Sequence, residues 1–245
     1  MSIQIIDDTI TKIEATFQQL VLGSSYLLLG EKSLAYLPKE TTATVNLGDG
    51  VTAQPYYLKE LQAHASTVMQ GLLELCQTKL IAMWSDLLSD LHKGFAEDHF
   101  AGKASHPFGK VKLDIDISNA GNLAETARDQ LCKDFDFRPY NERIKALLRL
   151  LGRSQTNQSE LETIKLHVEI RNSIQHHSSR VPQGLAKRLG RDIVVVDSDG
   201  KRVTLDDGDY ISLSAAEIDV LKRAQLVVLS SWRKKYEKDP EQGSA

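Results

Sequence analysis

Apolar residues recur at helical spacing over most of the chain, and the breaks between these runs are short. Ile10, Ile13, Phe17, Leu20, Val21, Leu27 and Leu28 predict a first helix over residues 7–29, with Asp7 or Asp8 as its cap. Gly23 inside that run weakens the helix and points to close packing against a neighbour. Pro38 and Gly48-Asp49-Gly50 then interrupt the pattern, and the Thr- and Val-rich residues 41–47 read as a short strand. The longest stripe follows: Leu58, Leu61, Ala65, Val68, Leu72, Cys76, Leu80, Trp84, Leu87, Leu91 and Phe95 hold one helical face over 57–95. Unbroken, that helix would span roughly 58 Å, so it predicts a dominant strut, a bend, or an oligomer surface.

The period changes beyond residue 97. Val111, Leu113, Ile115 and Ile117 alternate with polar residues, the pattern of a half-buried strand. Helical spacing returns after Asn122-Leu123-Ala124-Glu125, which resembles a capping box, and again from Pro139 to Gly152 through Ile144, Leu147, Leu148 and Leu151. A further helix starts near Ser159 and must stop before Pro182. A short basic helix over 183–189 ends at Gly190. Ile193-Val194-Val195-Val196 and Arg202-Val203-Thr204-Leu205 flank an Asp199-Gly200 turn and predict a hairpin, or a three-stranded meander with 210–213. Ser214-Ala215-Ala216-Glu217 is a capping box opening the last helix through Trp232. The fold class is therefore mainly α. It reads as a helical bundle of about six helices with a small hairpin or meander before the last one. A single helical domain over 1–239 is expected, with helices 7–29 and 57–95 packed into it, and a tail at 240–245.

Composition narrows the function classes. The chain has 245 residues, 41% apolar and 26% charged, ordinary for a folded globular protein, and a net charge of −3. It is thus no polycation, and any nucleic-acid site must be local. Cys76 and Cys132 lie in apolar helical contexts without metal-ligand spacing, and read as buried thiols of a reducing compartment. No basic and apolar leader opens the chain and no apolar run approaches ~18 residues, so a cytoplasmic protein without a membrane span is expected. His92, His99 and His106 with Asp98 and Asp114 match no metal-ligand motif and read as surface residues. No metal and no cofactor is expected.

The unusual stretch is Glu169-Ile170-Arg171-Asn172-Ser173-Ile174-Gln175-His176-His177, where two helical turns of an apolar helix carry an arginine, an asparagine and two histidines. Asn172 and His176 are four apart and share a face, while Arg171 lies roughly 140° from His176. A second copy of the helix would bring its own arginine and histidine alongside, which suits a two-fold dimer. Histidine serves as acid or base near neutral pH, arginine is a permanent phosphate clamp, and asparagine fixes either by hydrogen bonding. Residues 165–191 hold Lys165, Arg171, Arg180, Lys187, Arg188 and Arg191 against Glu169 alone, a local +5. That charge suits a phosphodiester, with Arg180, Lys187, Arg188 and Arg191 as candidate RNA contacts.

Arg171-Asn172-Ser173-Ile174-Gln175-His176 resembles the R-N-x-x-x-H signature of the HEPN superfamily, specifically over 157–180 and loosely over 139–232. The resemblance implies a small helical bundle dimerising through its motif helices. It also implies a metal-independent endoribonuclease of toxin–antitoxin or antiphage-defence systems, with RNA as substrate and a cognate antitoxin or defence partner. By that resemblance Arg171 and His176 are catalytic and Asn172 supports them. Glu169 is an orienting residue, and His177 a second titrating group or a cation at the helix C-terminus, which the macrodipole favours. His167, a turn earlier, reads as structural. The alternative is a binding module of the same fold, without catalysis, for RNA, a nucleotide or a protein.

Overall fold

A computed structural model describes residues 3–38, 40–44, 46–52, 54–109, 123–152 and 157–238. It is mainly α, with seven α-helices among the described residues. They are α1 (Ile3–Leu34), α2 (Leu58–Phe100), α3 (Leu123–Asp136), α4 (Tyr140–Leu150), α5 (Gln158–His176), α6 (Leu185–Leu189) and α7 (Ala215–Lys238). The strands are β1 (Thr42–Ala43), β2 (Asn46–Gly48), β3 (Val51–Thr52), β4 (Tyr56–Tyr57), β5 (Ile193–Val196) and β6 (Arg202–Leu205). They form three antiparallel pairs, β1 with β4, β2 with β3 and β5 with β6. The alternating stretch over 111–118 lies outside the described residues. The chain divides into two compact units, one of residues 1–14, 79–170 and 220–245, the other of residues 15–78 and 171–219.

The first unit is built on the C-terminal part of α2. The stripe seen in the sequence is its core: Leu80, Trp84, Leu87, Leu88 and Leu91 are all but fully buried. Trp84 packs on Trp232 of α7 with ring centroids 5.5 Å apart, and the buried Gln225 amide of α7 donates to the Leu80 carbonyl at 3.0 Å. Polar packing joins α2 to α3 and α4. Arg143 of α4, nearly buried, donates to Ser85 Oγ, the Ser85 carbonyl and Ser89 Oγ, each at 2.8 Å. Its guanidinium also lies 5.0 Å from the Phe135 ring centroid. His92 also stacks on Phe135, with centroids 3.9 Å apart and planes 8° from parallel. At the N-terminal end of α1, Asp7 pairs with Arg233 of α7 at 2.8 Å.

In the second unit, α1 and α2 meet where the sequence placed a glycine: a Cβ at Gly23 would stand 3.3 Å from a Leu72 methyl. The expected strand over 41–47 resolves into two short pairings. The connection between β2 and β3 turns at Asp49 and Gly50, both with positive φ (46° and 76°), the geometry that Asp-Gly pairs favour in tight hairpins. The Glu60 carboxylate reaches back to the Tyr57 amide at 3.1 Å and closes the start of α2. In the β5–β6 hairpin, Asp197 Oδ1 accepts from the amides of Asp199 and Lys201, at 2.9 and 2.8 Å. Ser214 caps α7 by accepting from the Glu217 amide at 2.9 Å. The other half of the expected capping box does different work. The buried Glu217 carboxylate accepts from the Val196 amide at 2.6 Å, and Ser214 Oγ donates to the Val196 carbonyl at 2.5 Å. This pair of bonds fastens the hairpin to the start of α7.

Candidate functional site

The motif occupies the last turn and a half of α5. Leu161, Ile164, Leu166, His167 and Ile170 are buried, so the helix is held by its apolar face and by a core histidine, as expected for His167. Arg171 and Asn172 are half-buried, and His176 and His177 are exposed. Glu169 is half-buried in the preceding turn. Arg171 Nη1 donates to Asn172 Oδ1 at 3.2 Å. The wheel had set Arg171 apart from the Asn172–His176 face. The long arginine stem overcomes that separation and returns the guanidinium to its neighbour's amide, so Asn172 holds the arginine.

The helix stops at His176 for a local reason. Ser178 and Ser179 both adopt left-handed backbone, at φ 52° and 57°. Neither is glycine, so each conformation is sterically unfavourable and is held by its bonds. The Ser173 carbonyl accepts from the His177 amide at 2.9 Å and from the Ser179 amide at 3.2 Å, closing the helix end. The chain then runs antiparallel to 208–211. Arg180 bridges Tyr210, the Val181 amide donates to the Asp209 carbonyl at 2.9 Å, and the Ile211 amide donates to the Ser179 carbonyl at 2.7 Å. Tyr210 and Ile211 therefore pair with the strand leaving the motif helix, and the meander alternative gives way to a two-stranded hairpin. Their pairing fixes His176 and His177 at a defined corner of the chain.

The basic segment is less uniform in space than in sequence. Lys187 and Arg188 of α6 and Arg191 beyond it are exposed. Arg180 is exposed as well, but its Nη1 donates to the Gly208 carbonyl at 2.9 Å. The pairing that positions Arg180 also brings up the acidic loop Asp206-Asp207-Gly208-Asp209, and Asp207 Oδ2 accepts from the Gly184 amide at 2.8 Å. The linear count of 165–191 omits those three carboxylates because they lie beyond the end of that segment in sequence. Arg188 is engaged too: its Nη1 donates to the Gln183 carbonyl at 3.3 Å.

A second cluster lies in the first unit, where the sequence reading expected surface histidines. His92 is buried, and His99 and His106 are half-buried among aromatic rings. The His106 amide donates to His99 Nδ1 at 3.1 Å. Phe108 packs edge-on to both His92 and His99, with centroids 5.5 and 5.2 Å away. Beside them is an open cavity of about 310 Å³, lined by His99, Phe100, His106, Phe108 and Leu131 among others. Burial, with Arg138 and Arg143 nearby, depresses the His92 imidazole from 6.5 to about 4, against the pull of Asp136. Burial and then His99 lower His106, opposed by Asp98. The signal was present in the sequence: His92 continues the stripe of Leu88 and Leu91 on the buried face of α2. Among the described residues no group of three or more His, Cys, Asp or Glu side chains is placed to hold a metal ion. Asp114 lies outside them. Cys76 is buried, and burial of the half-buried Cys132 raises its thiol.

No described helix is long and apolar enough to cross a membrane. No family model, no curated protein and no solved structure matches the chain.

Proposed function

We propose that this protein is a metal-independent endoribonuclease whose site is built on the end of α5. The observation that carries the reading is the Arg171–Asn172 hydrogen bond one turn before the exposed His176. It supplies a pre-oriented cation and a titratable base or acid on the same helix end. In the reaction, the 2′-oxygen of a ribose attacks the adjacent phosphorus as its proton passes to a base. The bond from phosphorus to the 5′-oxygen breaks as that oxygen takes a proton from an acid. The products are a 2′,3′-cyclic phosphate and a 5′-hydroxyl. His176 serves as base or acid, and its counterpart comes from a second protomer through the motif helix. Arg171 stabilises the charged phosphorane and Asn172 positions its guanidinium. His177 and Glu169 are supporting residues. Lys187, Arg188 and Arg191 contact the RNA backbone, and Arg180 does so with its remaining donors.

The resemblance of Arg171-Asn172-Ser173-Ile174-Gln175-His176 to the HEPN signature supports this reading and extends it. The protein would act in the cytoplasm as a toxin or antiphage-defence effector, restrained by a cognate antitoxin or defence partner. Incubating purified protein with total RNA in EDTA and sequencing the ends tests the activity. Wild type is expected to leave cyclic-phosphate ends, and His176→Ala to lower cleavage by ~10²–10⁴-fold with the fold intact. Equal cleavage by both proteins refutes the assignment. Binding without cleavage by either selects the non-catalytic module.

A further inference from the structure

The second half of α1 presents an apolar face that the other described residues leave uncovered. The helix already has a buried stripe in Ile6, Thr9, Ile13, Thr16 and Leu20. On the far side, Val21, Leu22, Tyr26, Leu28 and Leu29 are 46–74% exposed and fall within an arc of roughly 160°. Val68 and Leu75 of α2 are also more than half exposed, and they flank Leu72, the residue that meets Gly23. Side chains of this size carry roughly 150–200 Å² each, so these seven residues expose on the order of 700 Å². The largest apolar patch on a typical monomer is ~300–600 Å², and one partner of a stable complex contributes ~800 Å².

We propose that this face of α1, with the adjoining edge of α2, is a self-association surface that pairs with a second copy of the chain about a two-fold axis. Three features select that occupant. Residues 15–30 contain no charged side chain, so a face-to-face copy opposes no like charges across this stretch. Ser25, near the middle of the arc, donates its hydroxyl to the Val21 carbonyl at 2.8 Å. Its one polar group is satisfied within the helix and enters a dry contact without losing a partner. The exposed area is close to what one protomer brings to a stable dimer. A lipid surface fits less well, because helices that lie on membranes carry Lys and Arg along their polar border, whereas the edges of this face carry the uncharged Gln19 and Ser24.

This surface is distinct from the motif helix and does not depend on the ribonuclease reading. If the motif helix pairs as well, the assembly is larger than a dimer. The test is sedimentation equilibrium of the full chain beside Leu22→Glu/Leu29→Glu, both exposed positions. Circular dichroism establishes that the helices are retained. The chain has a mass of 27.3 kDa, and wild type is expected at twice that or more. The double variant is expected to halve the mass, its dissociation constant raised at least about a hundredfold by the unpaired carboxylates it would bury. In a second experiment, Ser25→Cys should form a disulfide-linked dimer on mild oxidation, and should fail to do so in the double-variant background. A monomeric wild type, an unchanged mass in the double variant, or a monomer that floats with phosphatidylcholine or phosphatidylserine vesicles overturns the proposal. RNA cleavage is read separately, so either conclusion can fail alone.

Discussion

His92 makes the stability of the first unit depend on pH, and the size of the effect follows from its surroundings. The ring is 2% exposed, stacks on Phe135 at 3.9 Å, and its Nδ1 finds no hydrogen-bond partner among the described residues. Burial, then Arg138 and Arg143, depress it from 6.5 to about 4. Between those two values the unfolded chain binds a proton that the folded chain refuses. Stability is therefore full above pH 6.5 and falls as pH drops toward 4. At about 1.4 kcal/mol per pH unit, going from pH 7 to pH 5 removes about 2 kcal/mol. His106, also lowered by burial, acts in the same direction. His92→Phe keeps a planar ring against Phe135 and removes the proton site. Urea unfolding followed by tryptophan fluorescence reports on this unit, since Trp84 and Trp232 both lie in its core. Any change in absolute stability from the larger ring is common to both pH values and cancels in the difference. The difference between pH 7 and pH 5 should shrink by about 2 kcal/mol relative to wild type. An equal loss in wild type and variant refutes the placement of His92 as a buried neutral imidazole.

Three further outcomes follow from named contacts. Arg143→Met removes three hydrogen bonds to Ser85 and Ser89 and the cation over Phe135, while the half-exposed Asp136 can rehydrate; the expected loss is about 2 kcal/mol, read from the same urea curves. Glu217→Ala leaves the Val196 amide without its acceptor and should cost about 1–3 kcal/mol, with faster hydrogen exchange at Val196; Glu217→Gln should restore most of the protection. If the ribonuclease reading holds, Arg171→Ala should lower cleavage by about 10²–10³-fold and Asn172→Ala by about tenfold, since the second only loosens the guanidinium; equal effects would place Asn172 on the substrate instead, as measured by single-turnover cleavage.

The elements that were legible in the sequence are those whose cause is local. The period of 3.6 residues marks α2, α4, α5 and α7 because a helix buries one face wherever it lies, and Gly152 and Gly190 end their helices by adopting left-handed backbone at φ 64° and 73°. What was not legible depends on residues far apart. The capping box at Ser214 reads as a local device, yet Glu217 is drawn away to the Val196 amide 21 residues earlier. The same holds at the candidate site. Its histidines, arginine and asparagine follow from the motif, but the corner that presents them is made by Ser178 and Ser179 in left-handed backbone, a conformation serine composition does not announce. That corner is secured by pairing with Tyr210 and Ile211, which also delivers Asp206, Asp207 and Asp209 beside the basic segment. The linear charge of 165–191 thus overstates the positive surface near Arg180, whose Nη1 already donates to the Gly208 carbonyl beside those carboxylates. If the ribonuclease reading holds, the four candidate contacts Arg180, Lys187, Arg188 and Arg191 give a slope no steeper than about −3 in log affinity against log salt for a single strand, and the carboxylates beside Arg180 make it shallower.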